Sequence, residues 1–377
     1  MSESKQRYKF EEEEKKMKKM LTILLIISAL ALASATKPPT YVELPGDDPN
    51  CAQKYFPARE GGTCASADWN NFTIRQLTDF GERPVWSPDG KRIAFAEKEF
   101  GDIYEIDLAT EKITCLTCDF EYHEFLRVHY LKNGDYLLLG PKRRTKSLLD
   151  PIVTTNLYDR IVKTGFWYMP ADRSSAPRWI GEEHFEGVAV SRESGKIAYT
   201  KTYVDTPFHF LSVLYVAEVS DEGNIINKNP MYCSPALLEA QDFLPGDKGM
   251  TMARYFPSME AFGYIFDTGE LINYTKNPAQ EEPESLFPDG EFMLLECNRH
   301  DPDGLIDIYM LSLDGTGKDA RRITHFSDVP GQKANQPTVS PEGCRIAVTK
   351  TRGAIDANTI TGLGLGIFLI EFYECRK

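Results

Sequence analysis

Apolar and polar residues alternate along most of the chain in short runs separated by Pro, Gly, Asn and Asp. The clearest runs are 103–108, 165–169, 213–217, 262–266, 306–311 and 366–370. Their period of two and their β-branched and aromatic content predict strands rather than helices. Ahead of each run stands a hairpin signature: an apolar strand, a turn, and a second apolar strand. Its strongest forms are Trp86-Ser87-Pro88-Asp89-Gly90-Lys91, Val339-Ser340-Pro341-Glu342-Gly343 and Phe287-Pro288-Asp289-Gly290. Pro presets φ for the turn, and Gly takes the positive φ that ends it. Weaker copies at 131–134, 191–195 and 244–247 bring the number to six. A fourth, more polar strand follows, as at 112–117 and 321–324. Four strands repeating about every 50 residues predict an all-β fold, a six-bladed β-propeller of four-stranded antiparallel blades.

Strand bookkeeping adds a closure. The sixth repeat runs out with three strands, while 72–78, ending in Leu77-Thr78 like other fourth strands, stands alone before the first. Pairing 72–78 with 365–372 would complete the last blade and leave no open sheet edge. The domain reading is therefore a leader at 1–35, an extended segment at 36–70 and a propeller at 71–377.

The leader rests on its own pattern. Lys15, Lys16, Lys18 and Lys19 precede an apolar stretch from 21 to 32 and then Ala33-Ser34-Ala35, the order of a secretory signal peptide cleaved after Ala35. A membrane span needs about 20 apolar residues, so an uncleaved signal anchor is the second reading, and Met17 is an alternative start. A secreted or periplasmic protein is expected. All eight cysteines (51, 64, 115, 118, 233, 297, 344 and 375) lie beyond the leader, which suits disulfides in an oxidising compartment. Cys51 and Cys64 are expected to bridge. Cys115-Leu116-Thr117-Cys118 has no second pair to make a zinc site, so a local disulfide or two free thiols are its plain readings.

Charge narrows the partners. Forty-three basic against 56 acidic residues give −13, which argues against nucleic acid. A composition of 42% hydrophobic and 26% charged residues is that of a globular chain rather than a disordered or polytopic one.

Arg75-Gln76-Leu77-Thr78, Trp86-Ser87-Pro88-Asp89-Gly90-Lys91 and Asp307-Ile308-Tyr309 resemble the repeats of the TolB-like (WD-repeat-like) six-bladed β-propeller family, over residues 72–374. For fold the resemblance implies one answer; for function it implies several. The family includes partner-binding periplasmic proteins, the substrate-gating propellers of prolyl-oligopeptidase-like enzymes, and oligogalacturonate lyases. Residues 36–70 are too few for the α/β domain that TolB carries. A hydrolase domain has no room either, and the chain lacks Gly-x-Ser-x-Gly.

Candidate chemistry follows from aligning the blades on the turn. Five places before the Ser slot stand Glu82, Leu126, Glu186, Glu239, Glu282 and Asn335. If these first-strand side chains face the axis, Glu82, Glu186, Glu239 and Glu282 with Asn335 form a ligand-binding rim whose carboxylates repel one another and attract a cation. The plain alternative is edge glutamates facing water or bonded to backbone N–H groups. His123, His129 and His184 fall near the same ends of blades two and three and could ligate a transition metal, as the lyase relatives would imply. Against that, the six histidines show no His-x-His or His-Glu-x-x-His spacing, and His129, inside a strand, fits a core imidazole. Asp301-Pro302-Asp303-Gly304 lacks the ligand ladder of a calcium loop and reads as a turn. The insertion 143–164 in blade two, basic at its start and apolar later, reads as a cap, a partner-binding flap or a packing lobe.

The combined expectation is a monomeric, non-catalytic module that holds a protein or saccharide ligand on the channel face. No catalytic residue is assigned, and no cofactor is expected beyond a divalent metal. The alternative is a metal-assisted lyase or hydrolase acting on an acidic or sugar polymer, with the three histidines as ligands and a rim glutamate as general base. Mass spectrometry of the mature N-terminus tests the leader: the expected first residue is Thr36, and an intact 21–32 segment contradicts cleavage.

Overall fold

The computed structural model describes residues 72–143, 163–206, 209–255, 258–300, 305–352 and 363–372. The leader, Cys51, Cys64, nearly all of the blade-two insertion and 301–304 lie outside these residues. Twenty-four strands, numbered β1–β24 in chain order, form six four-stranded antiparallel sheets. Five blades are continuous in sequence, over 82–115, 127–184, 188–234, 237–273 and 281–322; the sixth joins β1 (Phe72–Gln76) to the three strands of 332–372. We number them I to VI in that order. Blade III carries the longest hairpin, β11 (Lys196–Thr206) with β12 (His209–Val219), a length the turn pattern alone did not signal.

The repeated turn works as its residues demand. In blade I, Gly90 at φ 66° donates its N–H to Ser87 O at 2.9 Å, and Asp89 Oδ1 accepts Ser87 Oγ at 2.6 Å. Gly343 and Gly290 repeat the left-handed turn in blades VI and V at φ 74° and 70°. A side chain at these positions would carry the strain that glycine avoids.

A second repeated device joins third strands to fourth. Thr117 Oγ1 accepts the Ile103 N–H at 3.0 Å and donates to Asp102 at 2.6 Å. Thr324 does the same with Ile308 N–H (2.9 Å) and Asp307 (2.6 Å). Thr275 accepts the Ala261 N–H, and Thr78 accepts the Ile367 N–H at 2.9 Å. The Leu-Thr endings and the Asp before Ile-Tyr, the residues that carry the family resemblance, are thus structural clasps.

Thr78 also marks where the ring closes. β1 pairs antiparallel with β24 (Leu363–Phe372), with Phe72 opposite Phe372, Ile74 opposite Ile370 and Gln76 opposite Phe368. Between blades the core is a series of sheet-on-sheet contacts. Trp86, Ile93 and Phe95 of blade I pack on Ala347, Ile367 and Leu369 of blade VI, while Leu294, Ile308 and Met310 of blade V meet Ile346, Val348 and Ile370. Middle strands covered on both faces are mostly apolar: Phe292–Cys297 is buried along its whole length, with Glu296 its one charged residue.

Among the described cysteines, some are bridged and some are free thiols. Cys115 and Cys118 are bridged and Cys344 is disulfide-bonded, but Cys233 is an exposed free thiol and Cys297 a buried one. Cys297 sits inside a central strand, where it acts as a small apolar residue, and burial pushes its thiol well up.

If the clasp carries stability, Thr324→Val should cost about 1–3 kcal/mol, because it leaves the buried Ile308 N–H without an acceptor. Chemical denaturation checks this; a loss no larger than that of an exposed substitution such as Thr268→Val would show the clasp to be incidental.

Candidate functional site in the axial channel

The first strands of the blades are β2 (Glu82–Trp86), β6 (Arg127–Tyr130), β10 (Val188–Val190), β14 (Leu237–Phe243), β18 (Glu281–Leu286) and β22 (Gln332–Val339). In four of them the pairing register shifts at one comparable place: between Glu82 and Val85, Ala240 and Asp242, Pro283 and Ser285, and Asn335 and Thr338. A bulge re-aims the side chains around it. In β2 and β22 it places Arg83 at φ 54° and Gln336 at φ 51°. That backbone costs a non-glycine residue about 1–2 kcal/mol.

The bulge brings Arg83 into a polar ring around the axis, open only between Glu282 and Glu296. Arg83 Nη1 lies 3.1 Å from Glu82 Oε2, and Nη2 3.2 Å from Glu186 Oε2, with all three side chains almost wholly buried. Arg127 reaches Glu186 at 3.9 Å and Glu239 at 3.5 Å. Tyr255 Oη stands 2.5 Å from Glu239 and 2.6 Å from Glu282. Glu296 accepts the Gln336 N–H at 2.7 Å and Asn335 Nδ2 at 3.3 Å. Gln336 Oε1 then accepts the Arg83 N–H at 3.1 Å, which returns the circuit to blade I. Glu82, Glu186, Glu239, Glu282 and Asn335 therefore come together, but inside the channel and interleaved with arginines rather than on an open rim.

Several members of the ring escaped the sequence reading for identifiable reasons. In blade II the aligned position, Leu126, is fully buried, and its neighbour Arg127 faces the channel. Alternation alone would turn Arg83 away from Glu82. Glu296 lies on the second strand of blade V, directly opposite Glu282, so only the strand pairing reveals it. Glu284 had a signal, two residues beyond Glu282 on the same strand.

Like charges and burial leave their mark on the acids. Burial first, then the charges of Glu239 and Glu296, holds the Glu282 carboxyl well above the usual range. Burial, then Glu296 and Glu282, does the same to Glu284. Tyr255 has one hydroxyl proton for two carboxylates, and burial with Glu239 and Glu282 raises it strongly.

Next to the ring lies a cavity of about 410 Å³, lined among others by Arg83, Arg127, His129, Gln241, Glu284 and Thr338. Nε2 of His129, Nε2 of Gln241 and Oγ1 of Thr338 are buried there without a hydrogen-bond partner among the described residues. Burial, reinforced by Arg127, lowers His129 to about 3, so the ring is neutral at physiological pH with one nitrogen donating and one accepting.

The three histidines are dispersed by function. His129 faces the cavity. His123 is exposed and bonds Asp102, the clasp residue of blade I, at 2.9 Å. His184 is buried against Phe166 (centroids 4.1 Å) and Tyr199 (5.5 Å), with Nδ1 bonded to Phe185 O. Among the described residues, no histidine belongs to a group of three metal-competent side chains; the groups are Glu282–Glu284–Glu296 and Asp102–Cys115–Cys118, the latter with its sulfurs already bridged.

No protein-family model matches the chain, and no curated protein matches it by sequence. Solved structures do. A gluconolactonase from Xanthomonas campestris shares 12% identity at a TM-score of 0.52, covering 80% of this chain and 89% of its own. The calcium-binding protein regucalcin from Agrobacterium tumefaciens shares 14% at 0.50, covering 80% and 94%. TolB from Acinetobacter baumannii shares 12% at 0.47, covering 82% and 66%. At these identities the likeness is one of fold.

His184 supplies a pH test. Burial lowers it to about 4, against about 6.5 in an unfolded chain. As pH falls through that window the unfolded chain takes up a proton that the folded one refuses, so stability is lost at up to about 1.4 kcal/mol per pH unit. Urea midpoints between pH 7 and 4.5 should fall less steeply in His184→Gln; an unchanged slope would mean that His184 protonates without penalty in the fold.

Proposed function

We propose that this protein is an exported, non-catalytic binding module that holds a small hydroxyl-rich ligand, a saccharide, in the axial cavity. One observation carries the reading: His129, Gln241 and Thr338, from three blades, meet in one cavity with polar atoms that have no hydrogen-bond partner among the described residues, and Glu284 lines the same space. Buried polar groups in a folded protein are nearly always paired, and each unpaired one costs about 1–3 kcal/mol. A fold that keeps several in a single space is built for a ligand that pairs them. Gln241 and Thr338 donate, Glu284 accepts, and neutral His129 does both, which suits sugar hydroxyls that donate and accept together. The volume is that of a small-molecule pocket rather than a seat for a folded partner. Export rests on the leader pattern of residues 15–35. The metal-assisted lyase reading has less support, since His123, His129 and His184 lie in three different environments.

Calorimetric titration against a panel of mono- and oligosaccharides tests the proposal, with Gln241→Leu and Thr338→Val as variants. Each variant should bind about tenfold more weakly or not at all, and each should be more stable to urea by about 1 kcal/mol, having lost an unpaired buried group. Variants less stable than the parent would assign these side chains a structural task and remove the argument for a ligand.

A further inference from the structure

The ring balances its charges unevenly. Glu82, Glu186 and Glu239 are paired with Arg83 and Arg127. Glu282, Glu284 and Glu296 form no ion pair among the described residues. One oxygen from each lies within 4.8 Å of the other two. Oxygens that share one calcium ion at about 2.3–2.6 Å stand at most about 5 Å apart, so the three can reach a common centre. Two of these acids come from β18 and the third from the neighbouring strand Phe292–Cys297, with Glu282 and Glu296 opposite one another in the pairing. A single blade therefore holds the set rigidly. The Gln336 N–H and Asn335 Nδ2 orient Glu296 from the adjoining blade, as outer-shell donors orient a ligating carboxylate.

A cluster of acids alone would not identify a ligand; Gln241 supplies the independent sign. The residue is 8% exposed, lines the same cavity as Glu284, and makes no side-chain hydrogen bond among the described residues. A carboxamide in that position offers a neutral oxygen, the donor that hard cations take alongside carboxylates. We propose that Glu282, Glu284 and Glu296 bind a hard divalent cation of the calcium class in the axial channel, with Gln241 facing the same space. An all-oxygen set without His or Cys favours calcium over zinc or copper, and calcium tolerates irregular geometry where magnesium demands an octahedron. The saccharide reading shares Gln241 and Glu284 with this site and adds His129 and Thr338, but the ion needs no bound sugar to hold it.

The test is calorimetric titration of chelator-treated protein with calcium chloride, alongside Glu284→Gln, Glu296→Gln and Thr338→Val. One saturable ion per chain is expected, weakened at least about tenfold by either glutamine variant and unchanged in Thr338→Val. Thermal unfolding in chelator controls for folding: the glutamine variants remove buried like charge and should melt no lower than the parent. No saturable uptake up to millimolar calcium, or parental affinity in Glu284→Gln, overturns the site. Calcium uptake without any saccharide binding overturns the saccharide reading and leaves the cation site standing.

Discussion

Ring closure is the constraint on which the molecule depends. Every blade is a sheet with two free edges and two apolar faces, and the faces are covered only when all six blades stand in a circle. The circle is locked by pairing between β1 and β24, almost 300 residues apart in sequence, with Thr78 repeating on the closing strand the clasp that Thr117 and Thr324 make elsewhere. Without that strand, blade VI would expose the edge of a ten-residue strand, and sheets with long exposed edges recruit other chains.

Closure also creates the chemistry. It forces six first strands toward one axis, where their side chains have no solvent to retreat into. The chain meets this crowding in two ways. Around Arg83 and Arg127 it alternates sign, and the cost of desolvating ions is offset by close pairing. Around Glu282, Glu284 and Glu296 it does not, and beside them it leaves carboxamide, imidazole and hydroxyl groups without partners. The bulges that put Arg83 and Gln336 at positive φ belong to the same arrangement, since strain and unpaired groups concentrate where a fold gives up stability for function.

Likeness to other propellers speaks to this framework more than to the site. Residues that carry the resemblance, Thr78, Asp307 and the Ser87-Pro88-Asp89-Gly90 turn among them, hold strands together on the blades. Proteins of quite different activity can share them, because the ring makes the same mechanical demands whatever lies on the axis.

Sequence by itself determined the number of blades, the four strands in each, the turns and the closing partner, because these follow from local rules: alternation, turn residues and a strand count that must come out even. It also marked Glu82, Glu186, Glu239, Glu282 and Asn335, since repeats share a register and one offset samples the same level in each blade. Tertiary structure decided the rest. Arg83 enters the ring through a bulge, Arg127 through a one-residue slip at Leu126, and Glu296 through its place opposite Glu282 across a strand pair. The histidines, which the sequence could only group by position, went to a clasp, a cavity and a core. A side chain's role here is set by which way the backbone turns it and by what lies across the axis, and neither is a property of its neighbours in sequence.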